Sequence, residues 1–187
     1  MYWVIALFDE NTEKIIKGLW EELCENSISF YAEEVKDGRP HITLGSYADL
    51  DKIDYIKRMD SFYNHKSSIE ITFNTIGSFL NYGTLFYSPT VTTELIEFHT
   101  QHHEHFNEFN GKANQLYLPG KWIPHCTLAN KLSPEKLSEA FHFCLTKSDT
   151  IYGKIIEVAL VELVEENNKC IEAPIIFSKR LKKNSIL

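Results

Sequence analysis

Two short stretches of this sequence carry residue types suited to moving protons: Pro40-His41-Ile42-Thr43-Leu44 and Pro124-His125-Cys126-Thr127-Leu128. In an extended strand, side chains alternate between faces, so His41 and Thr43 share one face while Ile42 and Leu44 share the other. The second copy repeats this, with His125 and Thr127 together and Cys126 and Leu128 opposite. Each copy is an apolar-backed strand presenting an imidazole beside a hydroxyl. The chain between them is long enough for a complete α/β lobe. Two similar lobes packed about a pseudo-twofold axis would face the His-Thr pairs across a cleft. Opposed imidazoles can place one proton on a substrate and take another away. A third, looser match at His65-Lys66-Ser67 has no preceding Pro, and Ser68 stands where both copies have Leu. It reads as a solvated turn.

The doubled His-x-Thr-Leu resembles the signature of the two-histidine (2H) phosphoesterase superfamily, of the bacterial 2′-5′ RNA ligase-like and cyclic nucleotide phosphodiesterase type. The likeness extends to an N-terminal strand and helix, a His strand after a Gly-containing turn, and a second half built the same way. It therefore covers nearly the whole chain. The resemblance implies a metal-independent site with no cofactor, in which His41 and His125 are catalytic.

The residues support that chemistry on their own terms. Hydrolysis of a cyclic phosphodiester needs an activated water, a proton for the departing ribose oxygen, and stabilisation of the phosphoryl oxygens. A neutral His can take the water proton while a protonated one donates to the leaving oxygen, and unperturbed His titrates at pH ~6.5. Thr43 and Thr127 can donate hydroxyl hydrogen bonds to the non-bridging oxygens. Arg39 and Lys121 share pleat parity with the two histidines if the strands are straight, and are candidates for substrate contact. Tyr47 and Trp122 flank the motifs and could offer a ring for a nucleobase to stack on.

Two other signals compete. The run His99-Thr100-Gln101-His102-His103-Glu104-His105 puts His99 and His103 one helical turn apart, a spacing that suits a divalent metal. No nearby Cys completes a structural zinc set, and His102 falls on the apolar stripe, so a solvated, partly packed helix is the simpler reading. Cys24, Cys126, Cys144 and Cys170 show no Cys-x-x-Cys spacing and read as reduced, packed thiols. Pleat alternation points Cys126 away from His125.

The totals set limits. A chain of 187 residues with 43% hydrophobic content can build a substantial core. The net charge of −7 argues against electrostatic capture of long nucleic acid, though a local basic pocket for a nucleotide remains compatible with it. The apolar start Tyr2-Trp3-Val4-Ile5-Ala6-Leu7-Phe8 has no basic lead and meets Asp9 and Glu10 at once, so it reads as a buried strand. No run is long enough to span a membrane, and a cytoplasmic location is expected.

Along the chain, a helix follows with Asn11 or Thr12 as its cap, then a strand over 28–34. The first His strand runs from 40 to 47, and a helix capped by Asp49 turns Ile53, Ile56 and Met59 inward. A strand over 68–79 and a hairpin strand at 84–87 precede a long helix over 92–109. The second His strand covers 123–128, Ser133-Pro134 starts another helix, and strands over 151–165 and 170–177 close the chain. Residues 179–187 read as a tail that can fray. The expected fold is α+β: one bilobal domain over 1–187, two pseudo-symmetric lobes of antiparallel strands with flanking helices around a cleft carrying both His-x-Thr strands.

The expected function is a phosphodiesterase opening 2′,3′-cyclic or related small cyclic phosphodiesters, or 2′-5′ linkages at RNA ends. Its partner would be a nucleotide or short RNA end, with no long nucleic acid and no membrane, acting as a monomer. The alternatives are 2′-5′ RNA ligation, a non-catalytic nucleotide- or RNA-end-binding module, and a His-rich metal-binding protein.

Overall fold

The computed structural model describes residues 1–183 apart from 35, 37, 81, 167 and 168. The sequence places turns at Lys36-Asp37-Gly38, Asn81-Tyr82-Gly83 and Glu165-Glu166-Asn167-Asn168, of which Asp37, Asn81, Asn167 and Asn168 lie outside the described residues.

Strand β1 (Tyr2–Phe8) sends Val4, Ala6 and Phe8 into the main core. Its alternate residues Ile5 and Leu7 are buried on the opposite face, against Ala159, Val161 and Leu163. Both faces are covered, which accounts for the near-continuous apolar run. Asp9 ends the strand and caps α1 (Glu10–Glu25), accepting from the Thr12 backbone N–H. The cap is thus Asp9 rather than Asn11 or Thr12, because Asp9 alone has the extended backbone that a cap needs.

The segment 28–34 is not a strand. Ser27 leaves α1 at φ 56°, Ile28 and Ser29 are buried, and Ser29 Oγ accepts the Tyr31 N–H at 3.3 Å to start the one-turn helix α2 (Tyr31–Glu34). Tyr31 then packs edge-on against Trp20, ring centroids 5.3 Å apart. Packing on α1, and not a ladder partner, decides this stretch.

The first motif lies in β2 (His41–Tyr47), and α3 (Lys52–Tyr63) is capped by Asp51 instead of Asp49. Met59 faces inward and Ile56 packs on the core as expected, but Tyr55 and Tyr63 are buried with them and Ile53 is 84% exposed. Next come β3 (Ile69–Phe79), β4 (Thr84–Pro89) and α4 (Thr93–His105), the last capped by Thr92 and followed by 3₁₀ turns at Asn107–Lys112 and Gln115–Tyr117. The second motif lies at β5 (Cys126–Ala129), with His125 just ahead of the strand. Helix α5 (Pro134–Lys147) starts at a Ser133 cap with Pro at its first position. The close of the chain is β6 (Ile151–Glu162), the small hairpin β7 (Val164–Glu166) and β8 (Lys169–Glu172), and β9 (Ile175–Arg180). Lys179 and Arg180, read as tail, pair with β6, and Leu181 is buried.

Apart from the one-turn α2 and the two 3₁₀ turns, the halves repeat one order, β1-α1-β2-α3-β3 and β4-α4-β5-α5-β6. They form one seven-stranded antiparallel sheet in the order β2-β1-β6-β3-β4-β5, with β9 also on β6. The third strand of each half is exchanged: β6 completes the lobe of β1 and β2, while β3 completes that of β4 and β5. The motif strands are the two ends of this path, and the curl of the sheet brings them into contact. This is the α+β, two-lobed architecture expected from the sequence.

Candidate active site

Both motifs carry the same backbone irregularity. Where β2 pairs with β1, Thr43 faces Ile5 and Gly45 faces Val4, so Leu44 is an extra residue. Where β5 pairs with β4, Thr127 faces Phe86 and Ala129 faces Leu85, so Leu128 is the extra one. The Leu of each His-x-Thr-Leu is a β-bulge, a device that re-aims the side chains around it. Directly opposed residues in antiparallel strands share a face. His41 and Thr43 therefore lie on the face of Leu7 and Ile5, and Ile42 on the core face with Ala6.

The histidines are held alike. His41 Nδ1 lies 2.6 Å from the carbonyl of Arg39, and His125 Nδ1 lies 2.7 Å from that of Ile123, each two residues upstream. A carbonyl can only accept, so each Nδ1 bears the hydrogen and each Nε2 is left to exchange a proton. The threonine carbonyls are held alike too: Trp122 Nε1 donates to Thr43 O at 2.8 Å, and Trp20 Nε1 to Thr127 O at 3.1 Å. Burial pushes both imidazoles below their ordinary pKa. At His41 the Arg39 carbonyl opposes that shift and the nearby His125 adds to it. Two imidazoles that feel one another, both with free Nε2 atoms, take up a first proton more readily than a second. Cys126 faces the core opposite Tyr87, and burial pushes its thiol up to about 12, so it has no nucleophilic character.

A family model described as the 2′-5′ RNA ligase superfamily matches residues 16–166, well over half of the chain and both motifs. The chain belongs to the 2′-5′ RNA ligase superfamily. No curated protein sequence matches it. Among solved structures, TT0787 of Thermus thermophilus is 14% identical with a TM-score of 0.63, covering 98% of this chain and 99% of that one. E. coli LigT complexed with NADP+ is 12% identical with a TM-score of 0.60, covering 97% and 96%, and LigT complexed with 3′-AMP is 10% identical at 0.61, covering 96% of each. At such identities the likeness is one of fold.

The superfamily site here differs from the sequence expectation at its margins. Tyr47 does not face the cleft: the Leu44 bulge flips pleat parity, so Tyr47 joins Gly45 on the core face and is fully buried. Arg39 lies beside His41, but its guanidinium is spoken for by Glu13, at 2.6 Å from Nη2 and 3.1 Å from Nε. Burial works against ionising Glu13, and Arg39 and Lys17 outweigh it, holding the carboxyl below its usual range. Residues 122–125 are not strand, so the parity argument for Lys121 fails; its Nζ meets Gln115 Oε1 at 3.2 Å. Trp122 is half-buried and acts as a brace, its ring stacked on His99 at 3.9 Å and 1°.

The His-rich helix is packed and not solvated. His99, His102 and His103 are at most 2% exposed. The Nε2 atoms of His99 and His103 lie 3.1 and 3.0 Å from the carbonyl of Leu44, the bulge residue. His102 sits among the hydroxyls of Tyr47, Tyr55 and Tyr63. The nitrogens that a metal would need already hold the first motif from behind. Among the described residues, no three His, Cys, Asp or Glu are arranged to hold a metal ion. No helix of the described residues is long and apolar enough to cross a membrane.

Sequence reasoning missed Trp3, Tyr31 and Lys131. All three line a cavity next to His41. Trp3 was absorbed into an apolar run and Tyr31 into an expected strand. Lys131 follows the second motif at φ 56°, a left-handed backbone that a non-Gly residue adopts only when its surroundings impose it. The Tyr31 side chain lies close to that of Thr127, so the cavity adjoins both motifs.

Proposed function

We propose that this chain is a phosphodiesterase that opens 2′,3′-cyclic or related small cyclic phosphodiesters by paired-histidine acid-base catalysis at His41 and His125. The observation that carries this reading is the matched tethering of the two imidazoles, each with Nδ1 on a carbonyl two residues back and Nε2 free. A neutral imidazole takes a proton from water as its oxygen bonds to phosphorus. The P–O bond to the ribose oxygen breaks, and the protonated imidazole supplies the proton that this oxygen needs. Thr43 and Thr127 donate to the non-bridging oxygens as charge builds on them. The scheme returns both histidines to a one-proton state with their roles exchanged, and it asks for no metal. The complexes of the LigT neighbours with 3′-AMP and NADP+ support a nucleotide-sized substrate. The family description also favours the reverse direction, joining of a 2′-5′ linkage, for which the same two proton transfers serve.

Purified protein incubated in EDTA with the four nucleoside 2′,3′-cyclic monophosphates tests this, beside His41→Ala and His125→Ala. Turnover by the unsubstituted protein is expected to fall by about 10²–10⁴ in each variant. Turnover that survives both substitutions would place the chemistry elsewhere.

A further inference from the structure

The cavity beside His41 is not accounted for by the paired-histidine chemistry. It measures about 150 Å³. Its floor is the apolar face of β1 and β6, with Ile5, Val161 and Leu163, and its wall includes Tyr31 and Ala32 of α2. Trp3 lies over this floor, its ring centroid 6.1 Å from that of His41. The chain has three tryptophans. Two of them brace the motifs through indole N–H groups on Thr43 O and Thr127 O. Among the described residues the Trp3 indole N–H makes no hydrogen bond, and its ring is held only by packing on the apolar cluster of Ile5, Val161 and Leu163. A half-buried aromatic with a free N–H, opening on an apolar cavity next to the reacting groups, is a stacking platform for a ring.

Size narrows the occupant. An apolar cavity of roughly 150 Å³ holds a single six-membered aromatic ring. At its mouth Glu34 and Lys131 stand 4.0 Å apart, a carboxylate acceptor beside an ammonium donor. Cytosine and uracil each present an N–H donor next to an acceptor on their outer edge, which complements that pair. Arg39 also lines the cavity, but Glu13 holds it.

We propose that this cavity is a base site for a pyrimidine nucleotide, stacked on Trp3 on the His41 side of the phosphate. The proposal rests on the phosphodiesterase reading for the position of the phosphate, and it adds which base is bound and where.

The test compares kcat/KM on the four nucleoside 2′,3′-cyclic phosphates and on a ribose 2′,3′-cyclic phosphate without a base. The cytidine and uridine forms are expected to exceed the adenosine and guanosine forms by about tenfold or more. Trp3→Ala should lower the cytidine value about tenfold, mostly through KM, and removing the base from the substrate should cost the unsubstituted enzyme a similar factor. Ala173→Leu fills the cavity from its half-exposed rim and should abolish the pyrimidine preference even if Trp3→Ala fails to fold. Equal handling of purines and pyrimidines by the unsubstituted enzyme, or an unchanged preference in Ala173→Leu, would overturn the proposal. If no cyclic phosphate is turned over, the phosphodiesterase reading fails while the cavity is still decided by calorimetry. Binding of 3′-CMP that is stronger than that of 3′-AMP and is lost in Ala173→Leu upholds the base site, and indifference to base and variant removes it.

Discussion

At the scale of single residues, we propose that the two motif threonines contact phosphate in addition to forming strand. Thr43 is 6% exposed and faces the same way as His41, while its carbonyl is taken by Trp122. In the proposed mechanism the hydroxyl is the part of Thr43 that meets substrate. Thr43→Val keeps the branched shape and deletes one donor. The expected loss is about tenfold in kcat/KM, the worth of one hydrogen bond to a charged group, with a melting temperature shifted by only a few degrees. Steady-state kinetics beside a thermal melt checks it; a large loss of stability with unchanged kinetics would assign Thr43 to the fold instead.

Elements show where the sequence was legible and where it was not. The faces of His41, Thr43 and Cys126 follow from pleat alternation alone, because all three precede the bulges. Tyr47 lies three residues past Leu44, and a one-residue insertion reverses every face beyond it. Gly45 inside the strand is the one local sign of the bulge. The imidazoles of α4 that meet the Leu44 carbonyl come from far along the chain, while the Tyr47 ring folds back across Gly45 from two residues on. The same distance hid the role of the His-rich helix, whose spacing permits a metal but whose nitrogens meet a carbonyl some 55 residues upstream. Gly45 gives the element-scale prediction. A Cβ there would lie 2.9 Å from Tyr47 Cε2, and the buried ring has no solvent to retreat into. Gly45→Ala should cost about 1–3 kcal/mol, read from the urea midpoint, and in a double-mutant cycle it should cost less in the Tyr47→Ala background, where the clash is gone.

For the whole molecule, the buried histidines make stability depend on acid. Burial pushes His99 down to about 4, with His103 nearby adding to the shift, and His102 is driven well below its ordinary value by burial. A histidine whose folded pKa is depressed binds its proton more readily when the chain unfolds. Its contribution is therefore intact above pH ~6.5 and is lost as pH falls towards 4, at a cost of roughly 3 kcal/mol from His99 alone. Urea midpoints should drop between pH 7 and pH 5, and His99→Gln, which keeps a donor for the Leu44 carbonyl, should flatten that slope. An unchanged slope would mean that His99 does not set it.

The exchange of third strands between the halves has a consequence for synthesis. As the chain leaves the ribosome, β1 and β2 emerge first, yet β1 waits for β6, whose register with it begins only at Ile155. Until then β1 has one bare edge, and so does β3, which pairs with the other side of β6. A nascent chain stopped before Ile151 exposes two adhesive strand margins at once. Vectorial synthesis therefore ends with a single late closure that joins both halves, and chains truncated there are expected to be the ones most dependent on chaperones.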